Sequence, residues 1–490
     1  MSSATSSPIA AKPAQAQDFW VLPSTPIPAQ TIFFPAADQI GINTLIPDLL
    51  CFKTTPEFDE ARFIEAFKKA TAGTVSEIPA LAGRVVYEDE TCKTIKCVIE
   101  DNDKVLVRLN WMPHLDASEL EAQHWPSYYF PRGEVSVTKA PMSGVGTFNF
   151  GIQANFFKGG LLIVITMNHL ILDGSSIGDL ELIFAHHLSR ALDGNASKPS
   201  GLLPPAALDK SVMWGSKNAR PLLEWKDWRK APPMVAHSEE AMAAFFARFA
   251  KLTTSVWYLS PEKQAQLRAA SQKPGQKLSV HLCFSTWLWG VFTRARGLSP
   301  DTLTRNFTVA QTRGRVKVLH PNHCGNALVY GRAKATASEL RTLSTDVIAD
   351  RIAKSVSWWT EERIREQWGS IEAHLKNEPI TTVQANMDRD FGTDVEFSNV
   401  THNPLYKVAW GRGIELARKR PVETSFADGY LIMFPKTKDG GFEIVVYAET
   451  ETLKKMAADP KFREYAEYRT ACNPAHDELI RGIVVGKSRL

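Results

Sequence analysis

A histidine and an aspartate stand four residues apart in Asn168-His169-Leu170-Ile171-Leu172-Asp173-Gly174. An imidazole in such a place can accept the proton of a hydroxyl or amine, which is general base chemistry. With 12 histidines in the chain, one chance pairing at this spacing is about an even bet, so spacing alone carries little. Context adds weight: His169 directly follows the apolar, β-branched run Gly160 to Met167 and precedes a turn, so a rigid strand end would hold the ring at a sheet edge. A histidine that merely satisfies strand-end backbone groups fits the same local pattern, and Asp173 before Gly174-Ser175-Ser176 also fits a helix N-terminal carboxylate.

The elements around this turn read as alternating strands and helices. Order is expected to begin near Phe19, with a helix from Phe58 to Ala72 and strands at Ile95 to Ile99, Val105 to Leu109, Phe148 to Phe156 and Gly160 to Met167. A helix should run from the motif to about Leu192. The proline-rich stretch from Asn195 to Pro233 reads as a linker. Beyond it the pattern predicts helices at Glu239 to Leu252, Ser285 to Arg296 and Ser338 to His374, strands at Gly429 to Phe434 and Phe442 to Ala448, and a helix at Thr452 to Ala458. The expected class is α/β, divided as a disordered lead-in at 1–17, an N-terminal domain at 18–195, a linker at 196–233 and a C-terminal domain at 234–490.

Composition excludes several alternatives. A net charge of +4 from 57 basic and 53 acidic residues is too mild to imply nucleic acid or an anionic membrane as partner. No apolar run approaches the ~18 residues of a membrane span. The six cysteines contain no C-x-x-C pair and point to reduced thiols rather than a disulfide framework. The first 17 residues have neither a secretory apolar core nor presequence arginines. Asp390-Phe391-Gly392 matches a kinase triplet without its partners, and His320-Pro-Asn-His323-Cys324 lacks a second ligand pair for zinc. His186-His187 reads as a partly solvated helix face. The last three residues, Ser488-Arg489-Leu490, are a conservative variant of the S-K-L peroxisomal signal, so a peroxisomal or otherwise cytoplasmic address is expected.

The segment Phe148 to Gly174 resembles the catalytic strand and loop of the BAHD acyltransferase family, and further landmarks follow in the family's order. They are Asp38-Gln39, Pro79-Ala80-Leu81-Ala82-Gly83-Arg84, the helix within Ser279 to Leu298, Gln311-Thr312-Arg313-Gly314-Arg315, Gly325-Asn326, and Asp439 to Phe462. The resemblance implies two chloramphenicol-acetyltransferase-like domains with the active site in a channel between them. It implies direct acyl transfer from a coenzyme A thioester, acetyl by default, to a small-molecule acceptor of secondary metabolism. His169 would be the base, no acyl-enzyme would form, and coenzyme A would be a co-substrate, with no cofactor or metal bound. Asp173 would turn away from substrate to pair with Arg313, and Gly174 and Asn326 would shape the turn and its partner loop.

One landmark departs from the pattern. The family's Asp-Phe-Gly-Trp-Gly aligns without gaps to Ala409-Trp410-Gly411-Arg412-Gly413, which lacks the carboxylate; a two-residue gap would instead put Lys407 in its place. The site is expected to be structural and activity to survive, since fungal members resembling trichothecene acetyltransferases vary there. The hydroxyl or indole donor carried just upstream falls at Ser398 and Val400, so the oxyanion donor stays open. A free-standing condensation domain shares this fold but has a second histidine where Asn168 stands, and would use a carrier-protein thioester. A non-catalytic binding protein of the same fold is the third reading. A monomer is expected.

Overall fold

Every residue of the apolar run before the motif is buried, and its neighbours explain why it reads as a continuous rather than alternating pattern. In the computed structural model, which describes residues 16–139, 144–195, 198–232, 239–273, 275–421 and 427–486, the run is the strand Gly160–Asn168, paired between Phe150–Lys158 and Leu45–Thr54. Helices Glu60–Glu77 and Gly174–Leu192 cover one face of this six-stranded sheet through Phe63, Phe67, Ile183 and Phe184. Trp125, Phe130 and Phe157 pack on the other, against Leu162 and Val164. Both faces are thus dry.

The second half builds a seven-stranded sheet in the order Leu328–Thr336, Leu303–Gln311, Val395–Asn399, Tyr430–Met433, Phe442–Glu449, Leu252–Leu259, Glu467–Ala471. Helices Val280–Arg296, Thr345–Ser357, Thr450–Ala458 and Pro474–Val484 bury one face of it over Trp257, Trp289, Leu431 and Val446. The molecule is therefore a two-domain α/β protein, but its halves are not contiguous in sequence. The strand Ile414–Arg420 returns to pair with Leu45–Thr54 in the first sheet. Its Lys419 is neutralised there by Asp48 at 2.9 Å and by Glu181, and its Arg420 holds Glu443 of the other sheet at 2.6 and 3.1 Å.

Three expectations are corrected. The single helix over Ser338 to His374 is three, Glu339–Thr342, Thr345–Ser357 and Glu361–Leu375, because Trp359 leaves the helical path: its indole donates to Tyr330 O at 2.8 Å and stacks on Trp225. Within the Asn195 to Pro233 stretch the described residues, 198–232, form a packed strap. It carries the helix Pro205–Leu208 and the strand Trp228–Lys230, paired with Val383–Ala385, and it buries Met213, Leu222 and Trp225. His187 is buried rather than on a solvated face, its Nε2 2.7 Å from Glu77 Oε1, because the helix Glu60–Glu77 lies over it; His186 remains partly exposed. No helix among the described residues is long and apolar enough to cross a membrane.

Candidate active site

The strand ends at Asn168, whose side chain fixes the turn that follows. Its Oδ1 accepts the Leu170 N–H at 3.0 Å and its Nδ2 donates to Asn43 Oδ1 at 3.0 Å. The His169 N–H donates to Thr44 O at 3.0 Å, so a loop before the neighbouring strand and the turn itself both hold the histidine's backbone. The ring is partly exposed. Its Nδ1 is enclosed without a hydrogen-bond partner among the described residues, which leaves Nε2 as the nitrogen on the open side.

Asp173 is spent entirely on structure. Fully buried, it caps the helix Gly174–Leu192 by accepting the Ser175 and Ser176 N–H groups at 3.1 and 3.0 Å. Its other contacts come from the second half of the chain: Arg313 donates to Oδ2 at 2.7 Å and Oδ1 at 3.1 Å, and Ala327 N–H donates at 3.0 Å. Burial pushes its pKa up, but the Arg313 charge, its hydrogen bonds and the backbone donors of Ser176 and Ala327 outweigh that and leave it lowered. Arg313 in turn donates to His323 O, Gly325 O, Ser176 Oγ and Gln311 Oε1, so one guanidinium gathers the motif turn, the G-N loop and a strand end.

A second cluster closes the other side of the turn. Buried Asp38 accepts the Asn326 N–H at 2.8 Å and the Lys210 ammonium at 2.6 Å, while Asn326 Nδ2 donates to Leu170 O. Gly41 leaves this cluster room, since a Cβ there would press on Asn326 Nδ2 and Asp38 O at 3.0 Å. Lys210 gives no sequence signal; it is one lysine in a proline-rich strap. His402 is likewise unheralded. It follows the strand Val395–Asn399, and crowding by the protein and then the Arg313 charge lower its pKa.

The residues of the departed motif lie away from this cluster. Trp410 is buried edge-on against Phe52 with centroids 4.9 Å apart, and Ala409 and Lys407 are exposed. Gly411, at φ +108°, lies so close to the helix that a Cβ would meet Leu192 Cδ1 at 2.7 Å and Ser189 Cα at 3.0 Å. Ser189 is 15 residues beyond Gly174 on one helix, roughly 22 Å away at 1.5 Å per residue. The cleft of about 330 Å³ lined by Ser189, Asp193, Trp410 and Arg412 is therefore remote from His169. The His323 and Cys324 carbonyls accept from Arg313 and Lys210, while the rings serve packing and loop structure: His323 Nε2 lies 3.0 Å from Met213 Sδ and His320 Nδ1 accepts the Asn322 N–H at 3.1 Å. Ser398 hydrogen bonds to Tyr430, and Val400 packs beside Gly174.

A family model described as the Transferase family matches residues 16–463. Acyltransferase easC of Emericella nidulans is 23% identical over 474 residues, spanning 91% of this chain and 97% of that protein. Eremophilane O-acetyltransferase prx11 of Penicillium rubens is 23% identical over 361 residues, 67% and 74% of the two chains. The crystal structure of F. graminearum TRI101 with coenzyme A and T-2 mycotoxin shares the fold at a TM-score of 0.72 and 17% identity, covering 90% of this chain and all of that one. Since the family match spans most of the chain, the motif turn and its interdomain clamp included, this protein belongs to the Transferase family, the BAHD acyltransferases.

Proposed function

We propose that the chain transfers an acyl group, acetyl by default, from coenzyme A to a hydroxyl or amine of a small secondary metabolite. The observation that carries this reading is the division of labour in the motif: Asp173 is consumed by the Arg313 clamp, while His169 keeps Nε2 toward the open side of a turn held on both flanks. In the reaction Nε2 takes the acceptor proton as the acceptor oxygen or nitrogen attacks the thioester carbonyl. The tetrahedral intermediate then collapses, the C–S bond breaks, and the thiolate recovers the proton held by His169. No serine or cysteine nucleophile enters, and coenzyme A acts as co-substrate. That TRI101 is a coenzyme A complex and prx11 an O-acetyltransferase supports donor and acyl group.

Incubating the purified protein with radiolabelled acetyl-CoA and metabolite extract of the source organism should give a labelled small-molecule product. Turnover of a carrier-protein thioester but not of acetyl-CoA would overturn the donor in favour of the condensation reading. Loss of both would favour a binding protein. A monomer is proposed, to be checked by light scattering. Ser488-Arg489-Leu490 lie outside the described residues. Where Leu490 is the protein's last residue, a peroxisomal address is proposed; a fluorescent protein joined upstream of 480–490 should become punctate and turn diffuse when Leu490 is deleted.

A further inference from the structure

The loop at 400–403 runs beside the motif turn, and its two ends are tied to helices of different domains. Val400 stands 3.5 Å from where a Cβ on Gly174 would be. At the near end Asn399 Oδ1 accepts the Thr401 N–H at 2.9 Å and its hydroxyl at 2.7 Å. Asn399 Nδ2 then donates to Nδ1 of His281 at 3.3 Å, on the helix Val280–Arg296 of the second domain. Burial keeps that imidazole neutral, so its ring nitrogen can accept. At the far end buried Asn403 donates from Nδ2 to Glu181 Oε2 at 2.8 Å, on the motif helix Gly174–Leu192. Gly178 admits this amide, since a Cβ there would stand 2.6 Å from Asn403 Nδ2. Asn403 Oδ1 has no partner among the described residues, so the bond to Glu181 is what ties the side chain down.

Glu181 is fully buried, eight residues beyond Asp173 on the same helix, roughly 12 Å at 1.5 Å per residue. Lys419 Nζ lies between its Oε1, at 2.5 Å, and Asp48 Oδ2, at 2.9 Å, and Asp48 also hydrogen bonds to Glu181. One ammonium therefore faces two carboxyls in a dry junction. A hydrogen bond between two carboxyls needs a proton on one of them, and with that proton the cluster is neutral. Burial, opposed by the Lys419 charge and reinforced by Asp48, holds the Glu181 carboxyl well above the ordinary carboxylate range. Among the described residues the other groups at this junction are uncharged or already paired. Tyr406, whose hydroxyl accepts the Lys419 N–H at 2.8 Å, and Tyr447 of the second sheet are both kept protonated by burial. On the neighbouring helix Glu60–Glu77 the acid Glu77 is taken by His187.

Resting on the acyltransferase reading, we propose that Glu181 is a protonated positioning residue: through Asn403 it sets the loop 400–403, and with it Val400, against the motif turn that carries His169. A neutral acid does this without stranding a charge, because Lys419 and Asp48 balance each other once the proton sits on Glu181. The full chain and three variants test it. Infrared spectra at about pH 7 should show the carbonyl stretch of a protonated carboxyl in the wild type that is absent from Glu181→Gln. Amide hydrogen exchange over 399–404 should stay slow in Glu181→Gln, which keeps a neutral hydrogen-bonding group. It should become about fivefold faster or more in Asn403→Ala and Glu181→Ala. With radiolabelled acetyl-CoA and metabolite extract, the two alanine variants should turn over about tenfold more slowly at unchanged KM for acetyl-CoA, while Glu181→Gln keeps wild-type turnover. A missing infrared difference, unchanged exchange in both alanine variants, a Glu181→Gln protein as slow as Glu181→Ala, or wild-type turnover in Asn403→Ala would each overturn the proposal. A wild-type chain that transfers no acetyl group yet shows the band and the loop effects would count against the acyltransferase reading alone and leave the proton and the tether standing.

Discussion

Arg313 holds both carboxylate oxygens of Asp173 across 140 residues of sequence, at 2.7 and 3.1 Å, with the two side chains 6% and 0% exposed. A pair this dry is strong only while both members are present. Removing one leaves a buried charge uncompensated, which costs ~3–5 kcal/mol. Asp173→Ala and Arg313→Ala should therefore each lose soluble yield and chemical stability along with activity. The double variant should cost less than the sum, because the second change removes the charge that the first stranded. Urea unfolding of the four proteins measures this; an unchanged midpoint with only turnover lost would show that the clamp is not structural.

His169→Ala should do the opposite. Among the described residues the side chain takes no part in the clamp: its backbone holds the turn through Thr44 O, and that bond survives truncation. Turnover should fall about 10²- to 10⁴-fold with melting temperature and acetyl-CoA affinity retained. Normal activity in this variant would remove His169 from the reaction.

The motif, its strand and its helix were legible because each is a local pattern: a dry run, a turn, and the capping residues Asp173-Gly174-Ser175-Ser176. The residues that make the pattern work were not. Lys210 and Asp38 meet across 172 residues, and nothing local marks either as the other's partner. The strand Ile414–Arg420 carries three consecutive basic residues, Arg418, Lys419 and Arg420, yet Lys419 and Arg420 are buried, and their carboxylate partners Asp48, Glu181 and Glu443 come from elsewhere in the fold. A bulge between Leu416 and Arg418 also breaks its alternation against the neighbouring strand.

Acid should destabilise the protein in two stages. Burial lowers His281 to about 4, and burial with the charges of Lys210 and Arg313 lowers His323 to about 3, so both are neutral in the fold. Unfolded histidine titrates near 6.5, so below about that pH the unfolded chain gains protons that the native chain refuses. Stability present above pH ~6.5 is then lost as pH falls through the folded values, by up to about 1.4 kcal/mol per pH unit for each group. Asp173, also lowered, keeps its contribution until pH drops below the unfolded carboxylate value of about 3.9. Unfolding free energies at about pH 8, 6, 5 and 4 should decline from the second point onward, and His281→Gln should reduce proton uptake on unfolding by one. A flat profile down to about pH 4 would contradict the buried neutral histidines.

The departed motif at Ala409 to Gly411 should matter for folding and not for chemistry. Ala409 is exposed, so the carboxylate of Ala409→Asp would sit in water, gain no buried partner and change stability by less than about 0.5 kcal/mol. Trp410 is different: it is buried against Phe52, and Trp410→Ala removes a large aromatic body from the core shared by the first sheet and its helices. That should cost ~3–5 kcal/mol. Because Gly411 touches the helix at Ser189, roughly 22 Å from Gly174, turnover per folded molecule should be unchanged in Ala409→Asp. Steady-state kinetics beside thermal unfolding separates the two effects. A severalfold rise in kcat for Ala409→Asp at constant stability would mean that the missing carboxylate reaches the site after all.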